Sequence, residues 1–211
     1  MRAAATTLRR FGSIAPEGAR VVVSALHPAS RTGRSLFASR VFDPGEVARV
    51  LKDGQQSRKI GKIVQKGPRK GWPIFTLTLE ERATCPRGCA AWAICYGNNM
   101  QAAERIVHGA ALIDRLADEL SALQAQYPGG FLVRLHILGD FWSVDYVDAW
   151  RDFLWRFPAL AVFGFTAHPP RSDIGRRVNR AGAEYGDRWI VRFSGQPHED
   201  MAARVVDPGV E

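Results

Sequence analysis

From Pro73 onward, β-rich runs alternate with segments of helical periodicity, and this alternation restricts the fold more than any other feature of the chain. The runs IFTLTLE, FLVRLHIL, LAVFGFTA and WIVRFS are rich in β-branched and aromatic residues, which is typical of strands. Helical patterns separate them, at about residues 101–126, after Ser143, which can cap its helix, and at about 173–183. The strand runs are nearly continuous in apolar residues, as expected for strands covered on both faces. The order predicts right-handed βαβ units and a parallel sheet.

Residues 1–72 differ from this α/β domain at 73–211, because they show no sustained period and are strongly basic. They contain 15 Lys and Arg against four Asp and Glu, whereas the rest of the chain is slightly acidic. We therefore predict a basic, irregular N-terminal extension, with one short helix that starts at Pro44 and has Asp43 as its N-cap. The densest basic part, residues 58–72, could neutralise the phosphates of a nucleic acid, and it fits a solvated loop equally well.

The length and composition indicate one ordinary folded domain. A chain of 211 residues with 46% hydrophobic residues can build one compact core. No run of about 18 apolar residues suggests a membrane span, and the start MRAAATTLRRFGS lacks the apolar block of a secretory signal. That start fits a disordered basic arm and, less commonly, a mitochondrial transit peptide. We predict a soluble, cytoplasmic protein.

Three cysteines, Cys85, Cys89 and Cys95, follow the first predicted strand in a C-x3-C-x5-C pattern. An odd, local set of thiols without a secretion signal argues against a disulfide framework, and it favours a metal, a cluster or redox chemistry over three unrelated buried thiols. Structural zinc normally takes four protein ligands, and catalytic zinc with thiolate ligands stays an alternative. Three thiolates with one open position fit an iron–sulfur cluster better.

Further polar residues follow the other predicted strands. In parallel sheets, binding sites gather at the carboxyl ends of the strands, which places Gly139 with Asp140, Thr166, and Ser194 on the same edge as the cysteines. Asp140 could bind an amine, a hydroxyl or a metal there. A turn aspartate that helps to start the next helix is the alternative interpretation.

Two strands carry arginine in otherwise apolar surroundings. Arg134 and His136 share one strand face if side chains alternate, and Arg192 repeats the pattern on the last strand. Arginines on one face would form a phosphate or carboxylate site and make these three residues substrate-binding candidates. The alternatives are a core histidine and solvent-facing arginines on an edge strand.

The pieces KIGKIVQKGPRKGWPIFTLTLEERATCPRGCAAWAICYGNNM, VRLHILGDFWSVDYVDAW, FGFTA and VRFS resemble the phage gene product 88 domain family, found in phages and bacterial genomes. The similarity spans roughly residues 55–195. The family has no settled activity, and its members often carry a further cysteine-rich stretch near the C-terminus, whereas this sequence ends at DPGVE without one.

A more distant similarity joins strand, cysteine loop, helix, and a strand ending in glycine and a carboxylate. It resembles the opening of radical S-adenosylmethionine enzymes, whose usual cysteine spacing is C-x3-C-x2-C. The resemblance implies a partial parallel β/α barrel and a [4Fe-4S] cluster on Cys85, Cys89 and Cys95. It implies S-adenosylmethionine bound near Gly139 and Asp140, where those enzymes carry Gly-Gly-Glu, and a deoxyadenosyl radical as oxidant.

These features together predict an iron–sulfur protein, a radical-cofactor enzyme of phage or prophage type acting on a phosphate-bearing or nucleic-acid substrate. No catalytic residue can be assigned from the sequence. The alternative is a zinc-stabilised nucleic-acid-binding module without catalysis, in which a distant residue such as His136 or His168 supplies the fourth ligand.

Overall fold

The structure, a computed structural model, describes residues 21–57 and 60–194. The strands are β1 (Val41–Phe42), β2 (Leu51–Asp53), β3 (Ile74–Leu77), β4 (Arg105–Ile106), β5 (Phe131–Leu135), β6 (Leu160–Thr166) and β7 (Trp189–Phe193). The main sheet has five strands in the order β2-β3-β5-β6-β7, and a two-stranded parallel pair joins β1 to β4. The helices are α1 (Pro28–Thr32), α2 (Ala110–Gln126), α3 (Val144–Arg156) and α4 (Asp173–Tyr185).

The parallel α/β sheet predicted from the alternation is confirmed. Strands β3, β5, β6 and β7 are parallel, and each lies beside the next one along the chain. Only β2, at one edge of this sheet, runs antiparallel to its neighbour β3. The helices α2, α3 and α4 connect successive parallel strands after β3, as βαβ units require.

The two faces of the sheet are covered differently. One face packs with α2, α3 and α4 into the large apolar core, through residues such as Val133, Leu116 and Trp150. The other, which we call the helix-free face because none of the described helices packs on it, has a small apolar cluster under Ile60, Val64 and Trp72. By strand alternation and register the helix-free face comprises Ile74, Thr76, Leu132, Arg134, Ala161, Phe163, Phe165, Ile190 and Arg192.

The helix cap predicted at Ser143 forms, but the first long helix starts later than its periodicity suggests. Ser143 and Ser172 cap α3 and α4 by accepting hydrogen bonds from Tyr146 N and Gly175 N. The helix predicted from about residue 101 begins only at Ala110. Ile106 instead pairs as a strand, donating from its N to Thr78 O at 3.0 Å, so the residues before Ala110 extend the sheet region.

The short helix predicted from Pro44 is wrong. Turns follow Asp43, and the chain then enters β2 at Leu51. Glu119 of α2 accepts hydrogen bonds from Val50 N at 2.8 Å and Leu51 N at 2.9 Å, and Leu51 is buried in the core. A tertiary partner therefore takes the backbone donors that a helix would have used.

Part of the basic N-terminal extension is built into the α/β domain. Strand β2 is a member of the main sheet, and residues 60–72 lie over its helix-free face. Within residues 21–57 and 60–194, every helix is too short or too polar to cross a bilayer.

Candidate functional site

The carboxyl ends of the parallel strands meet at one edge, where the sequence places its candidate residues. Asp140 N donates to Thr84 Oγ1 of the cysteine loop at 3.1 Å, and Ala167 N donates to Asp140 Oδ2 at 2.7 Å. Ser194 N donates to Thr166 O at 2.7 Å. The ends of β5, β6 and β7 are thereby tied to the cysteine loop. Gly195 lies outside the described residues.

Asp140 is buried and links two loops through backbone donors. Its Oδ1 accepts from Phe141 N at 2.8 Å, while its Oδ2 accepts from Ala167 N. Burial raises the pKa of this carboxyl, and these hydrogen bonds, the one from the Thr166 side chain and the nearby His168 oppose the shift. Asp140 thus joins the loops after β5 and β6 by hydrogen bonds, and its carboxylate oxygens keep lone pairs that a ligand could use.

Gly139 lets the chain approach the cysteine loop closely. Its φ is 84°, and a Cβ there would lie 2.5 Å from Thr84 Oγ1 and 2.6 Å from Leu79 Cβ. Any side chain at Gly139 would push the Asp140 loop away from the cysteine loop.

The three cysteines lie on the loop after β3 and are free thiols of intermediate burial. Burial raises the pKa of Cys85 to about 12, with smaller contributions from the charges of Asp140, Cys95 and Cys89. Burial likewise raises the pKa of Cys95. Thr84, directly before Cys85 in the chain, accepts a hydrogen bond from Asp140 N at 3.1 Å, so Cys85 lies beside the Asp140 loop.

The donor set fits a soft metal or a cluster in its chemistry, since three thiols on one loop would be costly as thiolates without a neighbouring cation. The sulfur atoms are not gathered for coordination: across the described ranges, no three His, Cys, Asp or Glu side chains stand close enough to hold a metal ion. Binding would require the loop to close around the group.

A buried ion pair that the sequence analysis did not anticipate holds the cysteine loop. Arg105 of β4 and Glu81, both nearly inaccessible to solvent, pair with 2.7 Å between Nε and Oε2. Ser35 Oγ donates to Glu81 Oε1 at 2.9 Å, and Arg105 Nη2 donates to Gly97 O at 3.1 Å. The only sequence signal was the pair of acids, Glu80 and Glu81, directly after the first strand run.

Arg82 places a second buried cation beside the cysteines. Its backbone has a φ of 65°, and its Nη2 donates to Asn98 Oδ1 at 2.5 Å. Its Nε and Nη1 have no hydrogen-bond partner among the described residues. The charge of Arg82 lowers the pKa of Cys95 against the effect of burial, so this guanidinium favours thiolate at the loop.

The segment from Val21 to Arg34 lies against the outside of the cysteine loop. Val23 N donates to Ala93 O at 2.9 Å, and Trp92 Nε1 donates to Ser30 O at 3.3 Å. Arg34 Nε donates to the buried carboxylate of Glu80 at 2.7 Å. The N-terminal part of the chain thus positions the loop.

The prediction that His136 shares a strand face with Arg134 is wrong. His136 follows the last residue of β5, has a φ of 57°, and packs with its ring edge against Phe141 at 4.7 Å between centroids. Its Nε2 lies 3.2 Å from the hydroxyl of Tyr146 in α3. Burial lowers the pKa of His136 to about 3, so the imidazole is neutral. The positive φ breaks the strand alternation and turns the ring toward the helices.

Arg134 and Arg192 do share one face, as predicted. Arg134 is in register with Phe163, and Arg192 with Phe165, so all four side chains lie on the helix-free face. The guanidinium of Arg134 lies 5.7 Å and 5.2 Å from the ring centroids of Phe163 and Phe165.

The basic segment is partly exposed and partly paired. Lys62, Lys66 and Lys70 are exposed, whereas Arg69 pairs with Asp187 at 2.8 Å and stacks on Trp72. Arg58 and Lys59, which belong to the same predicted nucleic-acid strip, lie outside the described residues.

One comparison with known proteins is informative. The family model described as gene product 88 matches residues 49–208, which is most of the chain and includes the cysteine loop and the strands that follow it. No curated protein and no solved structure matches the chain significantly. On the match over residues 49–208, the chain belongs to the gene product 88 family.

Proposed function

We propose that this protein binds an iron–sulfur cluster through Cys85, Cys89 and Cys95 and acts as a radical S-adenosylmethionine-like enzyme. The observation that carries the proposal is the position of the three thiols. They follow the first parallel strand, on the strand edge that also holds Asp140. The three thiolates would hold the cluster, which together with S-adenosylmethionine and one electron from an external reductant would supply hydrogen-abstraction chemistry.

The layout of the sheet supports a partial β/α barrel. Successive parallel strands are neighbours, and α2, α3 and α4 all pack on one face. A sheet wound in this direct order, with helices on one side only, is the arrangement from which β/α barrels are built. The helix-free face would then be the inner surface.

At the carboxyl edge of the sheet, different residues would have different roles. The three thiolates would hold the cluster, and the guanidinium of Arg82, whose Nε and Nη1 donate no hydrogen bond to the described residues, would offset its negative charge. The buried Asp140, together with Gly139, Thr166 and Ser194, would bind the amino acid part of the cofactor.

Metal and sulfide analysis of protein prepared without oxygen tests the proposal. We expect iron and acid-labile sulfide with a broad visible absorbance, and their loss in each of Cys85→Ser, Cys89→Ser and Cys95→Ser. Ser121→Ala, on the exposed side of α2, is the control and should keep the colour. Colourless protein with stoichiometric zinc and no iron would sink the proposal.

A second function is favoured by the exposed lysines of the basic segment. Lys62, Lys66 and Lys70 form no ion pair within the described ranges, so a zinc-stabilised module could bind nucleic acid through them. This alternative predicts affinity for DNA or RNA that falls steeply with salt and survives Asp140→Ala. It also predicts loss of fold on chelation. Salt-insensitive or absent binding would remove it.

A further inference from the structure

We propose that the carboxyl half of the helix-free face binds an organic phosphate between Arg134 and Arg192. The proposal deepens the proposed function, on which it rests for the reactive centre nearby, by naming the class of substrate. The two arginines are far apart in sequence, and only the strand register brings them to one face.

The register sets the spacing between the two arginines. They belong to β5 and β7, with β6 between them, so their strands are about 10 Å apart. Arg192 is two residues further along the strand direction, because it pairs with Phe165 while Arg134 pairs with Phe163. Two arginine side chains can reach toward one oxyanion across that gap, each supplying forked N–H donors.

Neither arginine has a carboxylate partner in the part of the chain that the structure describes. The eleven ion pairs found there involve other arginines and lysines. Arg134 is only partly exposed, and its one hydrogen bond to protein runs from Nη1 to Leu135 O at 2.6 Å. A half-buried guanidinium without a counter-ion has lost part of its hydration and gained no opposite charge in return. A bound anion would supply that charge.

An exposed aromatic ring lies between the two charges. Phe165 is 45% exposed, although it belongs to a strand in the middle of the sheet. The guanidinium of Arg134 lies 5.2 Å from the centroid of this ring and covers part of it. The exposed part of the ring can stack on a flat group attached to the phosphate, such as a nucleobase.

The site adjoins the cysteine loop. Tyr96, next to Cys95 in the chain, donates from its hydroxyl to the carbonyl of Ile137, which follows the end of the strand that carries Arg134. A ligand held by Arg134 would therefore lie beside the loop that carries the three thiols.

The other half of the helix-free face is closed but basic. Ile60, Val64 and Trp72 cover the beginnings of the strands, while Lys62, Lys66 and Lys70 of the same segment are exposed. These lysines add positive potential on the same side of the sheet, which favours phosphate over a neutral ligand.

Calorimetric titration of the full chain with adenosine 5′-monophosphate, inorganic phosphate and adenosine tests the proposal. We expect the monophosphate to bind more tightly than either fragment, because it uses both the arginines and the ring. Arg192→Gln and Arg134→Gln should each weaken its binding by about ten-fold or more. Arg156→Gln, which removes the same charge from the exposed end of α3, is the matched control and should bind as the wild type.

Arg192 is exposed, so its variant should fold even if Arg134→Gln does not. The proposal is overturned if neither phosphate compound binds at millimolar concentration, if adenosine equals the monophosphate, or if Arg192→Gln binds like the wild type. Equal loss in Arg156→Gln would also overturn it. Because binding is measured without turnover, a colourless protein that still binds through Arg192 would contradict the proposed function and leave this site standing.

Discussion

The layer of strands and helices and the carboxyl edge of the sheet are stabilised in different ways. The layer is held by fully buried apolar side chains, among them Phe131, Val133 and Trp150. The edge buries charged and polar groups instead, and ties them to one another: Glu80, Glu81, Arg82, Thr84, Asn98, Arg105, His136, Asp140 and Thr166.

The carboxyl edge is therefore the part of the molecule where burying side chains costs stability. Apolar packing stabilises the fold in rough proportion to the area buried. The attraction between buried charges, by contrast, must first offset the free-energy cost of removing those charges from water. An edge so rich in buried polar groups is more typical of a site than of a scaffold. Three measurements can break or sharpen the comparison.

The largest effect is expected in the layer. Phe131→Ala removes a fully buried ring that packs edge-on against Phe75, and it should lower the free energy of unfolding by about 4 kcal/mol. Phe165→Ala makes the same change at a half-exposed position on the helix-free face, where the loss should be about 1 kcal/mol. Chemical denaturation measures both. Equal losses would mean that the two faces are packed alike.

The buried ion pair of the edge comes next. Glu81→Gln leaves Arg105 buried without a counter-charge and should cost about 3 kcal/mol. Glu104→Gln removes a more exposed partner of Lys52, and we expect less than about 1 kcal/mol. If Glu81→Gln proved as mild as its control, the ion pair would not be what holds the cysteine loop.

The smallest effect concerns pH. Burial holds the pKa of His136 at about 3, below that of an exposed histidine, so between these values only the unfolded state takes up the proton. The contribution of His136 to stability is therefore lost as pH falls. From about pH 7 to about pH 5, the wild type should lose about 2 kcal/mol more than His136→Asn.

The comparison with His136→Asn is needed because Asp140 acts in the opposite direction. Its pKa is raised by burial, so its contribution declines as pH rises. Subtracting the pH dependence of stability of His136→Asn from that of the wild type removes the contribution of Asp140, which both proteins share. Parallel curves for the two proteins would show that the imidazole is not held neutral in the folded state.

The strands and helices after Pro73 could be predicted because each carries its own local signal. Strands β3, β5, β6 and β7 lie within the predicted runs, and Ser143 caps α3 as expected. Their order along the chain then restricts the sheet to a parallel arrangement, since βαβ connections are right-handed and short. The shared edge of Asp140, Thr166 and the cysteine loop follows from that order.

The failures occurred where a distant residue competes with local preference. The turn at Asp43 has a helix-like sequence, but Glu119 takes the donors of Val50 and Leu51. Residues 101–109 continue the apolar period of α2, yet Ile106 pairs with Thr78. The alternation of β5 would place His136 beside Arg134, and a single positive φ reverses its direction.

By itself, the sequence determined the α/β class, the parallel sheet, and the position of the three cysteines after the first parallel strand, because period and order are local properties of the chain. Only the tertiary structure decided that Arg105 neutralises Glu81, that Arg82 lies beside Cys95, and that all three long helices pack on one face. These arrangements depend on which groups, distant in sequence, exclude water from one another in the folded protein, and no local sequence pattern contains that information.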